Sequence, residues 1–155
     1  VPYDLWARQG WIRATPGNVI DYEYIERDVY QLASRYRIQE VAYDPWGATE
    51  LIQRLMREGL TMVPVRQGFA SLSPPTKELE KLVLSRQLVH GGNPVLRWMA
   101  DSLVVEQDAA GNLKPSKVRS TERIDGMVAL IMAIDRAVRH QTTDSVYEKR
   151  GIRFL

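Results

Sequence analysis

Between Ile38 and Val65 the chain passes through two strand-length apolar runs separated by one helix-length segment, with very short connections. The first run, Ile38 to Tyr43, carries β-branched residues. The segment Ala48 to Glu58 places Leu51, Ile52 and Leu55 on one side and stops at Gly59, and Leu60 to Val65 is the second run. A strand, helix, strand order makes a right-handed crossover with parallel strands the default. The chain is therefore expected to be an α/β protein. Its 155 residues suit a single domain, 1–155. A chain of this size buries roughly two-thirds of its unfolded surface, so its core needs no staples.

The flanking segments can be read in the same way. Pro2 to Arg8 is a short helix ending at Gly10, followed by a brief extended piece, Trp11 to Ala14, and a turn at Pro16-Gly17-Asn18. From Asp21, a plausible N-cap, to Tyr36, the residues Tyr22, Ile25, Val29, Leu32, Ala33 and Tyr36 recur at helical spacing. Gly68 to Thr76 reads as a loop, Lys77 to Ser85 as a helix, and His90-Gly91-Gly92-Asn93-Pro94 as a turn into a short helix through Ala100. Leu103 to Gln107 and Leu113 to Pro115 pair as a hairpin across the Asp108 to Asn112 turn. A long helix runs from Thr121 to Arg139, and a polar tail follows.

Several chemistries are excluded or disfavoured. With no cysteine there are no disulfides, thiolate nucleophiles or cysteine-ligated zinc, which fits a reducing cytoplasm. His90 and His140 lack metal-ligand spacing, and no Gly-x-Ser-x-Gly elbow is present. No run is long enough to span a membrane, and the start, VPYDLWARQG, lacks the parts of a signal peptide. A soluble, intracellular protein is expected.

Two aspartates stand out, and together they suggest a divalent-metal nuclease site. Asp44 follows the first strand, and in open α/β sheets ligands collect in the crevice at the carboxyl ends of the strands. Asp44-Pro45 is equally a good N-cap and N1 pair for the next helix. Asp125 lies in the first turns of a helix whose run from Met127 to Ile134 is apolar all round, so that helix is covered on several sides. A helix N-terminus favours the ionised carboxylate that Mg²⁺ or Mn²⁺ requires. The alternative is an acid that serves only the helix dipole, with Ser120 or Thr121 as the cap. Gly126 costs about 1 kcal/mol against Ala inside a helix, which implies close approach by another backbone.

Net charge is only +2, but Lys114 to Arg123 holds four cations, Lys114, Lys117, Arg119 and Arg123, against one anion, Glu122. These cations either grip phosphates beside Asp125 without reading sequence or form a solvated loop. The tryptophans Trp6, Trp11, Trp46 and Trp98 read as core or helix-packing residues, and His90 as a turn residue.

A set of motifs in order along nearly the whole chain resembles the C-terminal nuclease domain of tailed-phage terminase large subunits. They are Tyr43-Asp44-Pro45-Trp46, Arg66-Gln67-Gly68-Phe69, Ser73-x-x-Thr76-Lys77-x-Leu79-Glu80, His90-Gly91-Gly92-Asn93-Pro94-x-x-x-Trp98, Lys114-x-x-Lys117 and Glu122-Arg123-Ile124-Asp125-Gly126-x-x-Ala129-Leu130. Ser145 to Glu148 and Gly151-Ile152 are similar to that family's C-terminus. The resemblance implies a ribonuclease H-like mixed sheet flanked by helices, with a carboxylate cluster that binds two divalent metals, Mg²⁺ or Mn²⁺, and cuts concatemeric phage DNA. By this resemblance Asp44 matches the family's second acidic ligand and Asp125 its third.

The family's first carboxylate lies on a central strand for which this chain has no match, so a partial nuclease domain lacking its first strands is expected. An open edge on the strand Ile38 to Tyr43 is expected with it. The packaging ATPase is likewise expected to be absent, because no Gly-x-x-x-x-Gly-Lys-Ser/Thr loop occurs. Implied partners are double-stranded DNA, the terminase ATPase domain, the portal and the small terminase subunit, in the cytoplasm of a bacterial host. Besides the metal-dependent endonuclease, two alternatives stand. One is a noncatalytic DNA-binding or docking fragment of the packaging motor, which an absent first ligand suits; the other is an unrelated small-molecule enzyme.

Overall fold

The computed structural model describes residues 1–47 and 49–143. The expected helix start at Ala48, and the similarity read from Ser145 to Ile152, lie outside them. The elements are α1 (Tyr3–Arg8), α2 (Tyr22–Arg35), β1 (Val41–Tyr43), α3 (Thr49–Arg57), β2 (Met62–Pro64), α4 (Phe69–Leu84), α5 (Pro94–Ser102), β3 (Val105–Gln107), β4 (Leu113–Pro115) and α6 (Asp125–Thr143).

The crossover unit forms as expected. β1 and β2 pair in parallel with Val41 opposite Met62 and Tyr43 opposite Pro64, though each strand is shorter than its apolar run. Leu51, Ile52 and Leu55 of α3 are all buried. β3 and β4 form the antiparallel hairpin, with Glu106 directly opposite Lys114; among the described residues the two pairs are separate two-stranded sheets and not the one mixed sheet expected. Asp21 caps α2, its carboxylate accepting the Glu23 amide.

The core gathers around α6. Met127, Val128, Ile131, Met132 and Ile134 are buried with Val65, Leu72, Leu79 and Ile124, and α5 and β1 supply the partly buried Leu96, Met99 and Ala42. The helix is apolar all round but not covered all round, because Ala129 and Ala133 face water. Small side chains leave little apolar surface on that side. Where α6 meets α5, a Cβ added to Gly126 would lie 2.8 Å from Met99 Sδ, so the close approach at this glycine comes from a side chain and not from another backbone.

Three expectations are corrected. Gly68 to Thr76 is not a loop, because α4 begins at Phe69 and carries Pro74 and Pro75 within it. The prolines forfeit two helical hydrogen bonds. Burial of Leu72, Pro75, Thr76 and Leu79 outweighs that loss, and the Ser73 hydroxyl accepts the Leu113 amide at 3.1 Å, which pins the helix to β4. The last helix starts at Asp125 rather than Thr121. Ser120 is occupied elsewhere, donating to the Ser116 carbonyl at 2.7 Å and accepting from the Val104 amide at 3.1 Å, while the Ile124 carbonyl receives the Met127 and Val128 amides. Finally, the tryptophans divide. Trp6 is buried and packs on Trp98 with ring centroids 5.5 Å apart, whereas Trp46 is 90% exposed.

Candidate functional site

Asp44 follows β1, and Gln67 lies three residues beyond β2, so both stand at the carboxyl ends of parallel strands. They face the start of the segment after β4. Together with Leu72, Glu106, Lys114 to Arg119 and Val128 they line one cleft of about 510 Å³. The cleft thus brings together Asp44 and three of the four expected cations, Lys114, Lys117 and Arg119. Arg123 is exposed and is not part of the lining.

Asp125 is not part of that lining either; it is tied to it through Lys117, whose Nζ donates to Asp125 Oδ1 at 2.7 Å. It is the first residue of α6, where the helix dipole favours the carboxylate. Both partners are more than half exposed, so the pair is readily exchanged for water or another cation. Asp44 does not cap α3, which begins only at Thr49; its carboxylate instead accepts the Trp46 amide at 3.1 Å and closes a tight turn. That leaves most of its lone-pair capacity available to the cleft.

Lys114 is held more firmly than Lys117. Its ammonium lies 2.9 Å from Glu106 Oε1 and 4.9 Å from the centre of the Phe69 ring, with only about a quarter of each side chain of the ion pair exposed. The hydrogen bond from Lys114 holds Glu106 below the ordinary carboxylate value of 4.5 against the opposing effect of burial, and Ser116 and Arg119 add to it. Glu106 therefore stays ionised and directs Lys114 from the hairpin into the cleft. Gln67 donates its amide to the Val65 carbonyl at 3.0 Å, which leaves its side-chain oxygen free as a neutral donor to a cation.

Sequence reasoning assigned no role to Glu106, Gln67 or Ser116. The signal for Glu106 was available, since a hairpin with this turn sets it opposite Lys114. Gln67 lay within the Arg66-Gln67-Gly68-Phe69 motif, but nothing in that motif set it apart as a site residue.

The oxygen donors Asp44, Asp125 and Gln67 have the chemistry of a hard-cation site. Among the described residues no group of three or more His, Cys, Asp or Glu side chains could hold a metal ion. Two carboxylates are the kind of donor a Mg²⁺ or Mn²⁺ ion takes when it keeps several of its waters and draws further ligands from a phosphate. They do not by themselves make a two-metal clamp.

Fold and cleft define a mixed α/β domain in which carboxylates and lysines share the crevice beside a parallel strand pair. Residues 1–141 match the family described as the terminase large subunit, endonuclease domain, and the chain belongs to that family. It is 38% identical over 138 residues to the terminase large subunit of Enterobacteria phage HK97, covering 88% of this chain and 27% of that protein. Protein YmfN of Escherichia coli K12 is 35% identical over 159 residues, covering 99% of this chain and 35% of that protein. The crystal structure of the HK97 bacteriophage large terminase superposes with a TM-score of 0.80 at 37% identity, covering 87% of this chain and 29% of that one. The chain thus spans about a third or less of these relatives. Among the described residues no helix is long and apolar enough to cross a membrane.

Proposed function

We propose that the chain is a metal-dependent DNA endonuclease domain of a phage packaging terminase, folded as one ribonuclease H-like unit and acting on concatemeric DNA. The observation that carries this reading is the juxtaposition of Asp44, Lys114, Lys117 and Arg119 in one cleft, with Asp125 held at Lys117. Family membership supports it. In this reading Asp44 and Asp125 hold Mg²⁺ or Mn²⁺, and Gln67 adds a neutral oxygen. The bound ion supplies Lewis-acid polarisation of a phosphate oxygen and lowers the pKa of a coordinated water.

The chain's own residues do the remainder. Lys114, fixed by Glu106 and Phe69, presents a preorganised charge to a phosphate, and Arg119 extends that grip along the backbone. Lys117 occupies Asp125 while no metal is bound and turns to phosphate when one arrives. Arg123, outside the cleft, contacts DNA further along. The ATPase domain, portal and small terminase subunit are the partners this reading implies, in the cytoplasm of the bacterial host.

Nicking of supercoiled plasmid by this chain in Mn²⁺ tests the proposal. Cleavage that requires the metal and is lost in Asp44→Asn and Asp125→Asn with unchanged melting is expected. Cleavage that persists in a chelator would contradict it. The short supply of carboxylates among the described residues favours a second reading, a noncatalytic DNA-binding or docking module. Salt-sensitive DNA binding without cleavage in the same assay selects that reading.

A further inference from the structure

We propose that Trp46 is a base-contacting residue that stacks on an unstacked or unpaired base of the strand whose phosphates lie in the cleft; this rests on the DNA reading of the cleft. Trp46 is 90% exposed, although an indole is the side chain with most to gain from burial. Its backbone is nonetheless held in a turn. Its amide is held by the Asp44 carboxylate at 3.1 Å, and Gly47, at φ +80°, turns the chain back immediately afterwards. The indole is therefore carried on a tight turn organised by a residue of the cleft itself.

The charge around it points to the class of partner. The cleft that contains Asp44 also contains Lys117 and Arg119, and between these two cations Val118 is 96% exposed. Cations that track a sugar-phosphate backbone, with apolar side chains presented beside them, are how proteins hold nucleic acid whose bases are accessible. A phosphate in the cleft leaves its base outside, and Trp46 stands only two residues along the chain from the cleft residue Asp44. Among the described residues no aromatic ring or cation stacks on the Trp46 side chain, and at 90% exposure its indole faces offer a platform. An apolar wedge at one base step also bends a duplex, which would present the neighbouring phosphodiester to the cleft.

Trp46→Ala, Trp46→Phe and the Lys117→Ala/Arg119→Ala double variant of this chain would be compared with the unchanged chain. The probes are a single-stranded oligonucleotide and the matching duplex, each with 2-aminopurine at successive positions, titrated at several salt concentrations. The expected result is fluorescence quenching at one position, lost in Trp46→Ala together with roughly 5- to 160-fold of affinity, the range for one stacked base. The salt slope should not change. Trp46→Phe should keep most of both signals, and the double variant should lower the slope. Quenching in the duplex indicates an unstacked step, and quenching only in the single strand an unpaired base; either supports the proposal.

Equal affinity and equal quenching in Trp46→Ala would overturn it. So would sedimentation that shifts from dimer to monomer in Trp46→Ala, since the indole would then be a contact between copies. If the unchanged chain binds neither probe, the DNA reading of the cleft fails as well. Binding without a Trp46 effect removes this inference alone.

Discussion

Replacing Lys117 by Met should move metal binding and DNA binding in opposite directions. Lys117 Nζ lies 2.7 Å from Asp125 Oδ1, with the two side chains 62% and 60% exposed. An exposed pair of this kind is worth about 0.2–1 kcal/mol, so a cation that displaces the ammonium forfeits a factor of roughly 1.4 to 5. The ammonium also repels the ion. Two unit charges about 4 Å apart in water interact by about 1 kcal/mol, and a divalent ion doubles that before salt screens it. Together these effects predict Mn²⁺ affinity tighter in Lys117→Met by roughly 1.4- to 5-fold from the lost pair alone and by up to roughly 160-fold where the repulsion is unscreened, while Lys117→Arg should remain near the unchanged chain.

On the DNA side one phosphate contact is lost, so the slope of log affinity against log salt should flatten by about 0.9. Calorimetric titration with Mn²⁺ and fluorescence anisotropy from low to moderate salt supply the two readouts. Melting should move little, since the exposed pair that is lost is worth at most about 1 kcal/mol. Unchanged or weaker Mn²⁺ affinity in Lys117→Met would refute the reasoning, because it would show that Asp125 is not where the ion binds.

Three further outcomes are expected. Ile131 has no exposed surface and sits at the centre of the cluster around α6, so Ile131→Ala should lower the unfolding free energy by about 2–5 kcal/mol in a denaturant titration. Glu40 accepts Arg136 Nε at 2.6 Å and lies 3.3 Å from His140 Nε2, and the bond from Arg136 above all keeps its carboxyl below 4.5. A depressed folded pKa means that this stabilisation is complete above the unfolded value and fades as pH falls through the folded one. The stability gap between the unchanged chain and Glu40→Gln should therefore narrow below about pH 4.5, and a gap constant from pH 7 to 2 would rule this out. The bonds from Val41 N to Thr61 O and from Val65 N to Tyr43 O turn Val41 and Tyr43 toward β2, so Ala42 faces the unpaired edge and its amide should exchange fastest of the three. Slow exchange at Ala42 would mean that a further strand covers this edge.

The elements with strong local periodicity were legible because burial and propensity agree in them. Leu51, Ile52 and Leu55 read as the inner face of α3 and are buried, and the hairpin reads from its turn residues. α4 was hidden by Pro74 and Pro75, whose local signal argues against a helix while tertiary burial of Leu72 and Leu79 imposes one. α2 shows the converse. Its stripe of Tyr22, Ile25, Val29, Leu32, Ala33 and Tyr36 predicts the helix but not its packing, since only Val29 and Ala33 are half-buried and the other four remain exposed.

At the site, Asp44 and Asp125 were visible as acids at element ends, yet their relation runs through Lys117, a contact across the 117–125 turn that no spacing rule marks. The exposure of Trp46 was equally hidden. A tryptophan beside an apolar strand ordinarily packs, and only the turn closed by Asp44 carries this one outward.

The proposed function requires Asp44 and Asp125 to share one cation, and paramagnetic broadening by Mn²⁺ in NMR spectra of this chain tests that most directly. Substoichiometric Mn²⁺ should broaden the signals of Asp44, Gln67, Ser116, Lys117, Asp125 and Gly126 before any others, and both Asp44→Asn and Asp125→Asn should abolish the effect. Broadening centred elsewhere, or centred on one aspartate and indifferent to loss of the other, would contradict it.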